Sequence, residues 1–302
     1  MSQYKINADS LIINSESVSE LDIKMYFDQQ NKDIDNIKTI IINKSVKVIN
    51  TTFNNFTNLE KFDVDTDNNH YCSIRKILYN KIKKTIQDET DTLVRCPLKI
   101  SGTVKIPQYI KIIDKNAFYN CNNVELISFT GVGVLTEIKE YAFYNCKLLQ
   151  IIKNIPSTLE KIGNYCFENC VNLISIDLSN IIDIGINSLR NCKNLEDIII
   201  SDKNKNIKNT DGILIKNKKE IIYCKPDINT KDIIIDNDVI KIREFSFYNC
   251  DNIENITLHD NITYIGKNCF ENCKKLETIQ LSNKLDIIND YMFFNCRKLE
   301  NI

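Results

Sequence analysis

The chain has 302 residues, 43% of them hydrophobic and 26% charged, and its net charge is −1 at pH 7. Lys and Arg are balanced by Asp and Glu, which leaves no excess of positive charge to hold a polyanion and excludes nucleic acid as an expected partner. No apolar run approaches the ~20 residues of a membrane span, and residues 1–14 lack a basic start followed by an unbroken apolar stretch, so no membrane span and no secretory signal are expected.

Residues 1–35 stand outside the periodic pattern and read as an N-terminal cap. An apolar alternation at Tyr4, Ile6 and the run 11–13 precedes Val18, Leu21, Met25 and Phe27, which lie near one face at helical spacing. Ser17 and Glu20 have the spacing of a capping box, in which each side chain satisfies an otherwise unpaired backbone N–H. A cap is expected because the core of a first coil would otherwise face water.

From residue 36 the chain repeats. Asn-Cys pairs recur at Cys121, Cys146, Cys170, Cys192, Cys250, Cys273 and Cys296, each three residues after Phe118, Phe143, Phe167, Leu189, Phe247, Phe270 or Phe293. Within each block the period is 22 to 25 residues, that of a short-repeat solenoid. A complete coil has three parts. An L-x-x-I-x-L segment such as Leu173, Ile176 and Leu178 alternates as a short strand does. An apolar-x-x-Ile step such as Leu159 to Ile162 follows, often ahead of glycine (Gly163, Gly185, Gly266). The x-Phe-x-Asn-Cys turn then places Phe and Cys on one face of a helical turn. The first coil carries Phe56 where later ones carry cysteine, so the position asks for an apolar side chain. The Asn before each Cys is expected to hydrogen-bond the backbone of its turn.

Seven of the twelve cysteines are thus one repeat position, and their column is expected to be thiol filler in the core of a protein kept in a reducing compartment. The expected location is cytoplasmic, with the cell surface as the alternative.

Two stretches interrupt the period, at about 66–97 and 203–226. Each reads as an inserted β-hairpin with a basic, polar tip: Ile77, Leu78 and Tyr79 then Leu93 to Pro97, and Ile213 to Ile215 then Ile221 to Pro226. The Phe of the next turn, Phe118 or Phe247, comes 21 residues after each proline, so both hairpins sit on a duplicated larger unit.

The pattern Phe-x-x-Cys-x-x-Leu-x-x-Ile-x-Leu, with Ile-Gly before the Phe and the Asp211-Gly212-Ile213 and Ile222-Tyr223-Cys224 hairpin motifs, resembles the BspA-like (Treponema-type) leucine-rich-repeat family over about residues 36–302. The resemblance implies an α/β repeat fold, a right-handed solenoid with a concave parallel β-sheet and short helical turns on the convex side. It also implies proteins that are often secreted or displayed on the surface of bacteria and protists and take part in adhesion to host or matrix proteins.

Chemistry is sparse in the sequence. There are two histidines, His70 and His259, and no nucleophile-elbow or phosphate-loop motif. A His70–Cys72 nucleophile pair defines the runner-up reading, a Cys-dependent enzyme or redox protein. The thiol pairs Cys166/Cys170 and Cys269/Cys273 are several coils apart and cannot share one metal, so no metal and no cofactor are expected. The candidate partner-binding residues face out from the concave strands: Lys61, Asp63, Ser128, Lys153, Asp177, Asp197, Thr257 and Gln280. Asp177 and Asp197 fall on adjacent strands, and Glu60, Glu125, Glu196, Glu254, Glu277 and Glu300 form a second row. The chain ends within a strand motif at Ile302, so no C-terminal cap is expected and the last coil could self-associate through an open edge. The expected function is a non-enzymatic protein-interaction solenoid that binds a protein partner through its concave sheet or hairpin tips. The surface adhesin is its alternative.

Overall fold

The computed structural model describes residues 3–81 and 91–302. Each regular coil contributes one strand to the concave sheet and one two-residue strand to a second parallel sheet. The concave strands Gly102–Ile106, Val124–Phe129, Ile151–Lys153, Ser175–Asp177 and Asp197–Ile199 pair in that order. Thr103, Leu126 and Ile151 stand in register, and Ile176 pairs with Ile198. The second sheet stacks Ile113, Ile138, Ile162 and Ile184 as one isoleucine column. β-Branched residues suit both sites because the inward positions are covered on every side.

The convex turns carry i+3 to i hydrogen bonds, Tyr119 N–H to Asn116 O and Cys121 N–H to Phe118 O, both at 3.0 Å. They stop short of regular helix because Asn116 and Asn120 take left-handed φ of 59° and 60°, a region Asn tolerates better than most residues. Turn stacks on turn through Phe118 N–H to Ala142 O and Phe143 N–H to Cys166 O. Inside, Phe118, Phe143 and Phe167 stack at 4.8 and 5.2 Å between ring centroids.

The N-terminal stretch differs from the sequence expectation in two places. Strands Ser10–Ile13 and Ser17–Ser19 pair in parallel with Thr39–Ile42 and Val48–Asn50, so these residues trace a coil of their own, with the antiparallel strand Tyr4–Asn7 at its edge. Helix α1 (Glu20–Gln30) therefore starts after Ser19, which accepts from Asp22 N–H at 3.2 Å and takes over as the cap. The buried face of the helix is Ile23 and Phe27, while Leu21 and Met25 are exposed. Strand pairing overrides the helical spacing of Val18, Leu21 and Met25.

Both insertions are three-stranded antiparallel meanders. The first runs Tyr71–Ile74, Ile77–Asn80 and Thr92–Arg95; the second runs Ile207–Thr210, Ile213–Lys216 and Glu220–Cys224. The leading strand of each was not expected, and the first expected tip, between Lys81 and Asp91, lies outside the described residues. The core forms three blocks, Tyr4 to Leu78, Ile77 to Ile222 and Ile221 to Met292, and alternate residues of the meander strands face different ones: Ile77 and Tyr79 pack into the middle block, Leu78 into the first, while Ile222 faces the middle block and Ile221 the third. That two-sided burial explains their uninterrupted apolar runs.

The two meanders are entered through the same set of hydrogen bonds. Asn68 donates through Nδ2 to Asn43 O at 2.8 Å and Val46 O at 3.1 Å, and its Oδ1 accepts from the backbone of His70 and Tyr71 at 2.7 and 2.8 Å. Asn204 makes the same four bonds, to Leu178 O, Ile181 O and the backbone N–H groups of Asn206 and Ile207.

Candidate functional site

On the concave face the inward side chains are buried and the outward ones reach solvent, as strand alternation requires. Lys61, Asp63, Lys153, Asp177, Asp197, Thr257 and Gln280 are exposed and Ser128 is half-buried. The row is not continuous. It is split into three sheets, with Lys61 and Asp63 on the first, Ser128, Lys153, Asp177 and Asp197 on the second, and Thr257 and Gln280 on the third. Within those sheets Ser128 stands opposite Lys153, and Thr257 opposite Gln280. Asp177 stands opposite Ile199 and Asp197 opposite Ser175, so the two carboxylates are diagonal and do not face each other. Among the described residues no cluster of three or more His, Cys, Asp and Glu side chains is arranged to hold a metal ion. Of the glutamate row, Glu60, Glu254 and Glu277 pair with Lys38, Lys231 and Lys298 at 3.7, 2.7 and 2.9 Å.

The Asn of the repeated Asn-Cys pair was expected to bond the backbone of its turn; the structure shows its side chain bonding along the stack instead, because coils in register bring equivalent side chains together. The asparagines bond to one another in a ladder, Asn145 Nδ2 to Asn120 Oδ1 at 2.6 Å, Asn191 to Asn169 at 2.9 Å and Asn295 to Asn272 at 2.6 Å. Asn249 reaches Asn191 at 3.4 Å, carrying the ladder across the second meander. Five of the seven cysteines send their thiol back to the Phe carbonyl of the preceding coil, as Cys146 does to Phe118 O and Cys170 to Phe143 O, both at 3.0 Å, while Cys121 and Cys250, which follow the meanders, reach the carbonyls of Cys96 and Cys224 at 3.7 and 3.8 Å. Burial pushes the thiols of Cys146, Cys166, Cys170, Cys192, Cys250 and Cys269 upward. A nucleophilic cysteine needs the opposite shift, and two thiols of the column have it: at Cys121 burial is outweighed by the hydrogen bond to Cys96 and the charge of Arg95, and at Cys296 the hydrogen bond to Cys273 outweighs burial. Outside the column, Cys72 stands opposite Tyr79 within the first meander.

The sequence reading passed over two concave strands. Gly102–Ile106 presents Thr103 and Lys105, and Asp232–Ile234 presents Asp232 and an 82% exposed Ile234. The alternations Val104-x-Ile106 and Ile233-x-Ile235 carry the signal, but neither strand has the Asn-Cys turn three residues ahead of it, because a meander stands there instead.

These strands mark where the sheet is broken. At the first break the meander tip leans on Lys61–Val64, with Phe62 N–H donating to Lys76 O at 3.0 Å and Ser73 Oγ to Phe62 O at 2.7 Å. A cavity of about 480 Å³ separates the tip from Gly102–Ile106, and one of about 630 Å³ adjoins it at Ile100. The second break holds a cavity of about 410 Å³ bordered by Glu196, Asp211 and Asp227 together with Lys225. Lys225 is itself paired with Asp227 at 3.3 Å. The two breaks share an architecture and differ in charge.

The stacked coils, the parallel concave sheet and the turn ladder define a leucine-rich-repeat solenoid. A family model described as the BspA type leucine-rich-repeat region matches six copies over residues 95–211 and 222–302, and the chain belongs to that family. Among solved structures it is similar to the pneumococcal vaccine antigen PcpA, at 18% identity and a TM-score of 0.61 over 77% of this chain and 75% of that one. A leucine-rich cell surface protein from Faecalibacterium prausnitzii aligns over 100% of this chain and 74% of its own, at 17% identity and a TM-score of 0.57. At these identities the likeness is one of fold. No curated protein matches the chain by sequence, and no helix among the described residues is long and apolar enough to cross a membrane.

Proposed function

We propose that this chain is a non-enzymatic interaction solenoid that holds a protein partner on its concave face, through outward residues that include Lys61, Asp63, Ser128, Lys153, Asp177, Asp197, Thr257 and Gln280. The observation that carries the reading is the alternation itself. Parallel strands present a repeated row of exposed polar side chains, while Cys146, Cys170, Cys192 and Cys250 of the thiol column are buried and shifted upward by that burial. A row of that kind offers area and hydrogen-bonding variety, the needs of a protein interface.

Affinity capture from the cell of origin tests it, comparing the wild type with a Lys153→Glu/Asp177→Lys/Gln280→Glu variant and with a convex charge variant, Lys115→Glu. The concave variant should lose a protein that the wild type and the convex variant both retain. Identical retention by all three would contradict the reading.

A surface adhesin binding host or matrix proteins is the second reading, favoured by membership of the BspA-type family. Surface labelling of intact cells separates the two, because a chain reached only after lysis is not an adhesin.

A further inference from the structure

We infer that the first break in the concave sheet is a docking site for an acidic, extended peptide segment, which adds as a strand to the free edge of Gly102–Ile106. This deepens the interaction reading and rests on it. Gly102–Ile106 is the terminal strand of its sheet and pairs only with Val124–Phe129 among the described residues. Ile106 O accepts from Thr130 N–H on that paired side at 3.1 Å, and carbonyls alternate in direction along a strand. The backbone N–H and C=O groups of Thr103 and Lys105 therefore point into the break. An edge of this kind is a template for another strand.

The cavity beside that edge is lined by the apolar Ile74, Ile77, Ile100 and Tyr109 together with Arg75 and Lys105, and no carboxylate of the described residues borders it. Lys76 and Lys99 extend the positive lining into the adjoining cavity, where Glu60 is the one acid among the described residues and is paired with Lys38. Arg75, Lys76, Lys99 and Lys105 are all exposed, and none forms an ion pair with a described residue. Lysine on an edge strand repels apolar or basic strands. The same charge accepts an acidic one, so the break selects its occupant by sign. The second break supplies the contrast, since Glu196, Asp211 and Asp227 make it acidic despite its matching construction.

The test uses the full chain and a short fluorescent peptide alternating Glu with Val, read by anisotropy against the same peptide with Lys in place of Glu. The acidic peptide should bind at least about tenfold more tightly than the basic one and weaken as salt is raised. Lys105→Pro removes a notch-facing N–H without touching the ladder to Val124–Phe129, and Lys105→Gln removes the charge alone. Both should weaken binding, Lys105→Pro the more, with unchanged thermal unfolding showing that each variant folds. Equal binding of the two peptides, no saturation with either, or full affinity in Lys105→Pro would overturn the proposal. Failure here with continued concave-dependent capture of a protein from cells would discard the strand-addition site and leave the interaction reading standing.

Discussion

Asn68 anchors the first meander: it is 1% exposed and makes four hydrogen bonds that tie the entry of the meander to the coil before it. Replacing it with Ala strands the Val46 carbonyl and two N–H groups, each costing about 1–3 kcal/mol if left buried and unpaired, while Asn43 O keeps its bond from Val46 N–H. Asn68→Ala should therefore lower stability by about 2–4 kcal/mol in chemical denaturation, well beyond the effect of Asn145→Ala in the turn ladder. Glu220 is a residue whose charge contributes to stability. Burial raises its carboxyl, but the hydrogen bond and charge of Arg243, with Lys241 adding to them, outweigh burial and hold it below the ordinary carboxylate value. A depressed carboxyl contributes stability that is full above its unfolded pKa and is lost as pH falls through the folded one. The wild type should lose more stability than Glu220→Gln on acidification from just above the ordinary carboxylate range, and parallel pH profiles would refute that role.

At the level of elements, the coils are legible in the sequence because one face of each is repeated. The Phe, Cys and Leu anchors name the stacked rings, the thiol column and the strand entry without any structure. Two classes of residue were not legible. Asn120 and its equivalents look like local turn residues, and their ladder forms only when coils lie in register. Thr103, Lys105 and Asp232 were missed because a strand entered from a meander loses the Asn-Cys landmark. The glycines illustrate a signal seen but not explained. An added Cβ at Gly163 would lie 2.4 Å from Glu140 N, and one at Gly266 would lie 2.3 Å from Glu244 N, so neighbouring coils touch through backbone there. Gly163→Ala should destabilise by about 1–3 kcal/mol through that overpacking, measurable as a lowered melting temperature. The cysteines permit a second check at this scale. In the native chain Cys296 and Cys72, both half-buried, should be alkylated first, with the ten buried thiols protected until unfolding; prompt labelling of Cys146 or Cys170 would contradict the thiol column.

Across the whole molecule, the meanders act as partitions. The core falls into three clusters, from Tyr4 to Leu78, from Ile77 to Ile222 and from Ile221 to Met292, each closed by one face of a meander strand. A solenoid's stability is a sum of units and nearest-neighbour interfaces, so Phe270→Ala, costing about 3–5 kcal/mol, should speed hydrogen exchange in the third block and spare the first. The same partitions break the concave sheet and give it two edges of opposite charge. The working surface proposed here is that sheet with its breaks. Hydroxyl-radical footprinting of the chain bound to its captured partner tests this most directly. Protection is predicted at Tyr109, Ile199 and Ile234 on the concave side, with Tyr141 and Tyr165 on the convex turns unchanged; protection of those convex tyrosines with the concave residues still reactive would contradict it.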